Sequence, residues 1–370
     1  MSNIFSKTEK TKWKILSFAL MGILAAGFAA PQAFAAKISE SDNKLTLMTQ
    51  NLYQGADLSS LATATTPLEF AQAIAAAYNS FLATDFSSRA DAIANEVKEA
   101  KPDLIGLQEA VIIRTQTPSD GPATPATAVT ADFIQILLDK LSAKGLHYSL
   151  AKVQTGSDLE APGLFTTGFM DVRLTDQDAI LVKDGLKGFS ISNEQGAQFV
   201  AKAALPTPVG LIPIPRSWVS VDITFNDGSE ARVVSTHLDP LAPSIQVLQA
   251  AELLAGPGAT TLPLVLMGDL NSNADGSGTA TYNNLVNGAG LKDAWTILGI
   301  GSGYTCCQDA NLLNLNSALS RRIDLTLFQG PFKVQFVDVV GDTPADKTPS
   351  GLWPSDHAGL VTKLKLVPAK

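Results

Sequence analysis

Cysteine is nearly absent from this sequence of 370 residues, because Cys306 and Cys307 are its only two. Neighbouring cysteines do not provide the CxxC or Cys/His spacing that is typical of structural zinc, which excludes that class of site. Two states of the pair remain open. They are two reduced, partly buried thiols, or a strained vicinal disulfide of the kind that an oxidising compartment allows.

Positive charge is also scarce. The 27 lysines and arginines are outnumbered by 35 aspartates and glutamates, which gives a formal net charge of −8. An acidic surface is unfavourable for a protein that holds a long polyanion by charge alone. It does not exclude a nuclease whose contacts with the substrate are local and assisted by a metal ion.

Long apolar runs are absent except near the N-terminus. There, a lysine-rich segment precedes an apolar run over residues 15–30, and a small-x-small tripeptide ends at Ala35. This order is typical of a cleavable secretory signal peptide, and the run is short for a membrane span. We therefore expect a signal peptide over residues 1–35, cleavage near Ala35, a single mature domain over residues 36–370, and a secreted or periplasmic protein.

Short apolar strands and amphipathic helices alternate along the rest of the chain. Strand-like runs rich in Val, Ile and Leu lie at residues 44–51, 103–109, 178–183, 217–225, 231–238, 262–271, 322–328, 333–340 and 359–367. Helical patterns lie at residues 67–82, 87–100, 130–145 and 243–256. Several strands alternate apolar and polar residues, which favours two packed sheets with helices outside them.

Three long segments are predicted to be loops. Residues 115–130 are of low complexity, and residues 155–175 are mixed in composition and long enough to cover a site. Residues 205–216 are proline-rich and apolar. They are either an ordinary surface loop or a hydrophobic lip beside the active site.

Chemically active side chains lie at the ends of the predicted strands. A carboxylate at the end of an apolar strand is costly unless it has a partner, and strand ends gather at one edge of a sheet. Carboxylate and amide oxygens suit Mg²⁺ or Mn²⁺. The residues at these ends are Asn51, Glu109, His237, Asp269 with Asn271, Asp324, and Asp356 with His357. The pattern predicts one site with a hard cation and two imidazoles.

The segments that carry these residues occur in a recognisable order. They read TQN, LIGLQE, STHLD, LMGDLNS, RRIDLTL and SDHAGL. As a set they resemble the endonuclease/exonuclease/phosphatase superfamily, which includes DNase I-like nucleases, inositol polyphosphate 5-phosphatases and bacterial sphingomyelinases. The resemblance extends from about residue 44 to residue 367. It implies an α/β fold, a four-layer α/β/β/α sandwich of two mixed, largely antiparallel sheets flanked by helices, and the hydrolysis of phosphoesters.

The resemblance also implies a metal site. Glu109 is the expected primary ligand of Mg²⁺, with Mn²⁺ as the alternative ion. Asn51 and Asp356 are expected to hold the ion or its waters. Mg²⁺ keeps several waters and takes one or two carboxylates, which agrees with so few protein ligands.

Catalytic roles follow from the same resemblance. Asp269 is expected to orient or deprotonate the attacking water, and Asn271 to position that water or a phosphate oxygen. Asp324 is expected to orient His357, which is either the general base or a cationic contact of the phosphate. His237 matches the position that contacts the phosphate and is a candidate general acid. Which residue is the base stays open, because coupled groups resist single assignments.

The sequence departs from the family in two regions. In FMDVRLTDQDAILVK, Arg173 is a candidate substrate-binding residue and Asp178 a candidate orienting residue. A surface salt bridge is the alternative account of Arg173. Residues 303–324 are an elaboration that counts against nuclease-like specificity.

The expected substrate is a phosphodiester of a nucleic acid or a phospholipid. A nuclease would require a basic strip near the site. No basic run flanks the motifs of this sequence. In contrast, VGLIPIP, PGLFTTGF and SGLWPSDH, the last with Trp353 close to Asp356, are candidate exposed apolar loops that would suit a lipid. No stable protein partner is expected, and the protein is expected to be a monomer. The alternative is a catalytically inactive secreted binding module on the same fold. Such proteins usually lack one or more of the metal-binding or histidine residues, whereas this chain has all of them.

Overall fold

The computed structural model describes residues 43–367. The signal peptide predicted at residues 1–35 and its cleavage point near Ala35 lie outside the described residues, so both stay predictions. The single domain predicted for residues 36–370 likewise stays a prediction. Within the described part of the chain, no helix is long and apolar enough to cross a membrane.

Sixteen β-strands lie within the described range. They are β1 (Lys44–Asn51), β2 (Leu104–Gln108), β3 (Ile112–Gln116), β4 (Ala128–Asp132), β5 (Tyr148–Phe165), β6 (Gly168–Lys183), β7 (Phe189–Gln198), β8 (Ala203–Thr207), β9 (Gly210–Ile214), β10 (Ser217–Phe225), β11 (Glu230–His237), β12 (Leu264–Asp269), β13 (Lys292–Asp293), β14 (Asp324–Gln329), β15 (Phe332–Val340) and β16 (Gly359–Leu366).

Seven α-helices lie between these strands. They are α1 (Ser59–Thr63), α2 (Pro67–Ala83), α3 (Phe86–Ala100), α4 (Phe133–Ala143), α5 (Pro243–Ala255), α6 (Thr281–Asn283) and α7 (Ala294–Leu298). A π-helical turn, Asn284–Gly288, follows α6, and two 3₁₀ turns lie at Gly121–Ala123 and Pro344–Asp346.

The longer helices on the first sheet begin at residues suited to that position. Before α2, the Thr66 hydroxyl accepts a hydrogen bond from a backbone N–H of the first turn, and Pro67 is the first helical residue. Asp85 and Asp132 cap α3 and α4 in the same way. Such caps satisfy backbone donors that have no partner within the helix.

Two large sheets bring the predicted strand ends to a shared edge. The first sheet has the order β15-β16-β1-β2-β6-β3-β4, with β5 also paired to β6, and the second has the order β13-β14-β12-β11-β10-β7. The pairs β1–β2 and β11–β12 are parallel. Parallel neighbours end at the same edge of a sheet. Asn51 pairs with Gln108, so the next residue, Glu109, lies near Asn51. In the second sheet, His237 pairs with Asp269.

Apolar side chains form three cores that separate four layers. Leu47 of β1 and Val265 of β12 belong to the core between the two sheets. Ile93 of α3 belongs to the core on the outer face of the first sheet, and Leu253 of α5 to the core on the outer face of the second. The predicted α/β/β/α sandwich is therefore confirmed.

Two of the three predicted loops are strands. Residues 155–175 lie in the β5–β6 hairpin, which turns at Gly168 with a φ of +113°. Residues 205–216 contain most of the β8–β9 hairpin. The loop interpretation was wrong because glycine and proline in these segments weaken the local strand pattern, whereas cross-strand pairing restores the hydrogen bonds. Residues 115–130 contain the ends of β3 and β4, joined by an irregular connection.

Candidate active site

Asn51 and Glu109 meet at the ends of β1 and β2. The Asn51 side-chain amide donates to Glu109 Oε1 over 3.3 Å, and the backbone N–H of Gln54 donates to Glu109 Oε2 over 2.8 Å. Glu109 has a φ of +51°, in the left-handed region. A bulky residue rarely adopts this conformation, and such strain is concentrated at functional sites. The conformation ends β2 and turns the following chain out of the sheet.

The segment before β16 brings Asp356 to the same edge. The Ser355 hydroxyl donates to the backbone carbonyl of Asn51 over 2.7 Å, which ties this segment to β1. Burial raises the pKa of Asp356 to about 7, the cation of His357 opposes this shift, and the negative charge of Glu109 adds to it. Two mutually repelling carboxylates, Glu109 and Asp356, supply the oxygen ligands that a hard divalent cation prefers.

Asp269, at the end of β12, links the second sheet to the first. Its Oδ2 accepts a hydrogen bond from the Asn51 amide over 3.1 Å, and its Oδ1 accepts one from the backbone N–H of Asn271 over 2.8 Å. Asp269 is buried, and burial together with the charge of Asp324 raises its pKa to about 7. Asp269 thus lies at the centre of the predicted residues, with a proton affinity suited to exchange near neutral pH.

His237 contacts an arginine that lies outside the predicted site residues. Arg216 donates to its Nδ1 over 3.1 Å, and because a guanidinium only donates, Nδ1 is the acceptor in this contact. The other ring nitrogen, Nε2, lies 3.0 Å from Asn271 Nδ2, which itself donates to the backbone carbonyl of Leu238, and 3.5 Å from Asp269 Oδ2. Burial and the positive charges of Arg216 and His357 hold the pKa of His237 well below its ordinary value.

His357 has the opposite electrostatic environment. Its Nδ1 lies 2.7 Å from Oδ2 of the buried Asp324, and its Nε2 lies 3.8 Å from Asp269 Oδ2. Burial alone would lower the pKa of His357, but the charges of Asp324, Asp356 and Asp269 outweigh it and raise the pKa well above the ordinary value. Ligand atoms of Asp269, Asp324 and His357 lie within 4.8 Å of one another, but a protonated imidazole has no lone pair for a metal ion, so this group is better suited to proton exchange than to metal binding.

Arg173 and Asp178 lie on β6, in separate surroundings. The Arg173 guanidinium pairs with Asp158 of β5 at distances of 2.5 and 2.8 Å, which agrees with the salt-bridge interpretation of Arg173. Asp178 is buried and accepts a hydrogen bond from the Ser217 hydroxyl. Burial and the charge of Asp176 raise its pKa well above the ordinary value.

Arg216 and Asp176 support the site but lie outside the predicted set. Arg216 pairs with Asp176 over 3.0 Å, so both residues support His237. The predicted residues lie mainly at the carboxyl ends of strands, whereas Arg216 precedes β10. Since β10 runs antiparallel to β11, the residue before β10 reaches the same edge as the end of β11. The pairing of the two strands, which local sequence does not specify, is the signal that identifies Arg216.

The predicted apolar loops near the site are exposed in two of three cases. Val209 and Leu211, in the β8–β9 hairpin, are 60% and 72% exposed, and Phe169, at the tip of the β5–β6 hairpin, is 49% exposed. Trp353 is fully buried and packs with Tyr53 and other apolar residues, so the interpretation of its segment as an exposed apolar loop is wrong. The Trp353 ring instead packs in a small apolar cluster.

The elaboration at residues 303–324 lies against the site. The structure joins Cys306 and Cys307 by a disulfide, which agrees with the vicinal-disulfide interpretation. Arg321 contacts both sulfurs, at 3.0 and 3.2 Å, and Cys307 Sγ lies 4.0 Å from His357 Nε2. The elaboration therefore forms part of the wall around His357.

Comparison with known proteins relates this geometry to one family. The model of the Endonuclease/Exonuclease/phosphatase family matches residues 76–357, which is most of the chain. The match contains Glu109, both site histidines and the acidic residues between them, whereas Asn51 precedes it. No curated protein matches the sequence.

Solved structures of the same family share the fold. An endonuclease/exonuclease/phosphatase family protein from Bacteroides thetaiotaomicron is 19% identical, with a TM-score of 0.55 over 88% of this chain and 96% of that one. A mannosyl-6-phosphatase from the same organism is 18% identical, with a TM-score of 0.53 over 88% and 100%. The human Nocturnin catalytic domain, solved with a bound sulfate anion, is 16% identical, with a TM-score of 0.50 over 88% and 96%.

Proposed function

Because this chain belongs to the endonuclease/exonuclease/phosphatase family, we propose that it is a divalent-metal-dependent phosphodiesterase in which an activated water attacks phosphorus. The main support is the arrangement around Asp269. A neutral imidazole and a cationic imidazole point their Nε2 atoms at the same carboxylate oxygen, from 3.5 and 3.8 Å. Hydrolysis of a phosphodiester needs such a set: a proton acceptor for water and donors for the phosphate oxygens.

The divalent ion would be held by Glu109, Asp356 and Asn51. Glu109 and Asp356 offer carboxylate oxygens, and the pKa of Asp356 is raised in part by the charge of Glu109, so a cation between them would relieve their repulsion. Asn51 would support the ion by orienting Glu109, to which its amide donates. When bound, the ion polarises a phosphoryl oxygen and offsets developing negative charge. We propose Mg²⁺, with Mn²⁺ as the alternative, because hard oxygen donors suit both ions.

Asp269 is the proposed general base. A pKa of about 7 makes its carboxylate a proton acceptor matched to neutral pH. The hydrogen bonds from Asn51 and from the Asn271 backbone fix both of its oxygens, so the abstracted proton has a defined position. His357, which is already protonated, is less suited to this role.

The two histidines are the proposed contacts of the phosphate. With Arg216 on its Nδ1, His237 would donate a hydrogen bond from Nε2 to a phosphate oxygen. His357 adds a positive charge that Asp324 stabilises. Together they would stabilise the negative charge that builds up on the phosphoryl oxygens in the transition state.

A metal titration tests this function. Purified protein is assayed on bis(p-nitrophenyl) phosphate, DNA and sphingomyelin, with Mg²⁺ and with EDTA. We expect hydrolysis of at least one substrate that EDTA abolishes, and a fall of at least a hundredfold for Glu109→Gln. Glu99→Gln, an exposed acid on α3, is the matched control and should keep full activity. If all three substrates remain intact, the protein is an inactive binding module, and if activity survives EDTA, the metal assignment fails.

Export and the monomeric state are proposed on the sequence pattern alone. The N-terminal lysines, the apolar run and the Ala-rich cleavage site support a mature chain that begins at Ala36. N-terminal sequencing of the protein from the culture medium and the periplasm, with light scattering for its mass, tests both points. A chain retained in the cell with residues 1–35 attached would contradict export.

A further inference from the structure

An apolar cavity of about 380 Å³ lies between α2 and the two hairpins β5–β6 and β8–β9. From α2, Phe70, Ile74 and Ala77 line it at helical spacing. From the opposite side, Ile212 and Ile214 of β9 line it at strand spacing. Two elements thus turn a regular apolar face toward a space of the size that small-molecule sites have.

The cavity adjoins the proposed active site along two walls. Gln54 lines the cavity, and its backbone N–H donates to Glu109 over 2.8 Å. On the other wall, Ile214 is followed after one residue by Arg216, whose guanidinium lies 3.1 Å from His237. The cavity and the active site thus share Gln54 and the connection between β9 and β10.

The lining of the cavity is unsuited to a second phosphate. Among the described residues that form it, there is no lysine, arginine or histidine. Its two charged residues are Asp158, which is paired with Arg173, and Glu160, which accepts hydrogen bonds from the backbone N–H of Ala126. A polynucleotide would bring its next phosphate toward these acids, whereas an alkyl chain requires no polar partner.

We propose, building on the phosphodiesterase activity proposed above, that the substrate is a phosphodiester bearing an aliphatic chain, and that this chain occupies the cavity. The phosphate lies against Glu109 and the two histidines, and the chain extends between α2 and β9. Val209 and Leu211, exposed on the β8–β9 hairpin, continue the apolar surface outward. These features together favour a lipid phosphodiester over a nucleic acid.

A series of alkyl p-nitrophenyl phosphates tests the chain site. Ethyl, butyl, hexyl and octyl esters are hydrolysed below their micelle concentrations, and thymidine 5′-(p-nitrophenyl phosphate) serves as the nucleotide comparator. We expect kcat/KM to rise about fourfold per added methylene until the cavity is filled, which is the effect of burying each methylene from water. The octyl ester should exceed the thymidine ester.

Filling the cavity should remove this dependence. Ala77→Phe fills it from α2 and Ala161→Phe from β5, and each should lower the octyl-to-ethyl ratio of kcat/KM at least tenfold. Ala76→Phe, at an exposed position of the same helix, is the matched control and should keep the wild-type ratio. Circular dichroism verifies that each variant is folded, and the two filling variants act from different elements.

The outcomes separate this inference from the function on which it rests. Hydrolysis of the ethyl ester with a flat chain-length series, or a preference for the thymidine ester, overturns the aliphatic-chain site and leaves the phosphodiesterase intact. A wild-type ratio in both filling variants also overturns it. Failure to hydrolyse any ester in the presence of Mg²⁺ overturns the proposed function itself.

Discussion

Single residues decide the protonation of the two site histidines. His237 receives a proton donor on Nδ1 from Arg216, whereas the Nδ1 of His357 faces the carboxylate of Asp324. One ring is therefore neutral and the other cationic, although both are buried within the same cluster. The partner of the second ring nitrogen sets the role of each histidine.

Asp324→Asn should remove the negative charge that stabilises the His357 cation. We expect kcat to fall about a hundredfold to a thousandfold with a smaller change in KM, because the charge matters most in the transition state. The pKa of His357 should fall, as measured by NMR titration of its ring. Asp338→Asn, an exposed acid on β15, is the control. An unchanged His357 titration in Asp324→Asn would contradict the assigned pair.

Arg216→Gln should release the Nδ1 of His237. The loss of a nearby positive charge should raise the pKa of His237 toward its ordinary value, and kcat/KM should fall at least tenfold because the ring loses the contact that orients it. Arg232→Gln is a matched control, since Arg232 also pairs with a single aspartate, Asp222. If both variants behave alike in activity and His237 titration, Arg216 has no specific role.

Among the helices, α3 supports the site directly. The fully buried Arg89 donates to the backbone carbonyls of Thr84, Leu52, Tyr53 and Pro354 over 2.7–3.1 Å. It thereby joins α3 to the chain after β1 and to the segment that carries Asp356. Burial lowers the pKa of Arg89 to about 10, so it remains a cation at neutral pH.

Replacing Arg89 by lysine should therefore loosen two segments together. Lysine has fewer N–H donors than arginine and cannot reach all four carbonyls, so some of these buried carbonyls lose their partner. We expect a loss of about 2–4 kcal/mol in the free energy of unfolding. Urea unfolding measures the loss, and activity should fall with it. Arg114→Lys, at a partly exposed position on β3, should change stability by less than about 0.5 kcal/mol. Equal losses in the two variants would contradict this role.

Strands and helices whose apolar residues recur with a clear period were predictable from the sequence. Strands that depend on pairing with a distant segment were not. The predicted runs at residues 44–51 and 217–225 coincide with β1 and β10, and the helix predicted at 243–256 differs from α5 by one residue. β5 was missed because it is long, partly exposed and interrupted by Gly156 and Gly163. Its existence depends on pairing with β6, which local sequence does not specify.

The site was predictable as a set of residues but not as a set of contacts. Polar residues at strand ends can be read from the sequence, because the end of an apolar run is visible in it. The partners Arg216 and Arg89 could not be assigned in the same way. Their roles depend on the register between antiparallel strands and on the packing of α3 against a loop some 265 residues away.

At the scale of the whole molecule, stability should depend on pH through Glu96. This residue of α3 is buried, and neither of its carboxylate oxygens has a hydrogen-bond partner among the described residues. Burial and the charges of Asp346 and Asp342 raise its pKa well above the ordinary value of 4.5. The folded chain keeps this proton at pH values where the unfolded chain has released it, so stability falls as pH rises above about 4.5.

Glu96→Gln should remove the part of this dependence that Glu96 contributes. The variant should be more stable than the wild type at pH 7 by about 1–3 kcal/mol, because glutamine has no proton to lose and each pKa unit corresponds to about 1.4 kcal/mol. Its advantage should shrink toward pH 4, where the wild-type carboxyl is protonated in both states. Thermal unfolding from pH 4 to pH 8 measures the difference, with Glu99→Gln as the exposed control on the same helix. A constant difference across this range would contradict the raised pKa.

The most direct test of the central claim is the path of the oxygen atom of water. The wild-type protein, loaded with Mg²⁺, hydrolyses a phosphodiester in H₂¹⁸O, and mass spectrometry locates the label. We predict one ¹⁸O atom in the phosphomonoester and none in the alcohol, because a water activated by Asp269 attacks phosphorus. Asp269→Asn should slow this incorporation at least a hundredfold. Label in the alcohol, or an unchanged rate in Asp269→Asn, would contradict the mechanism.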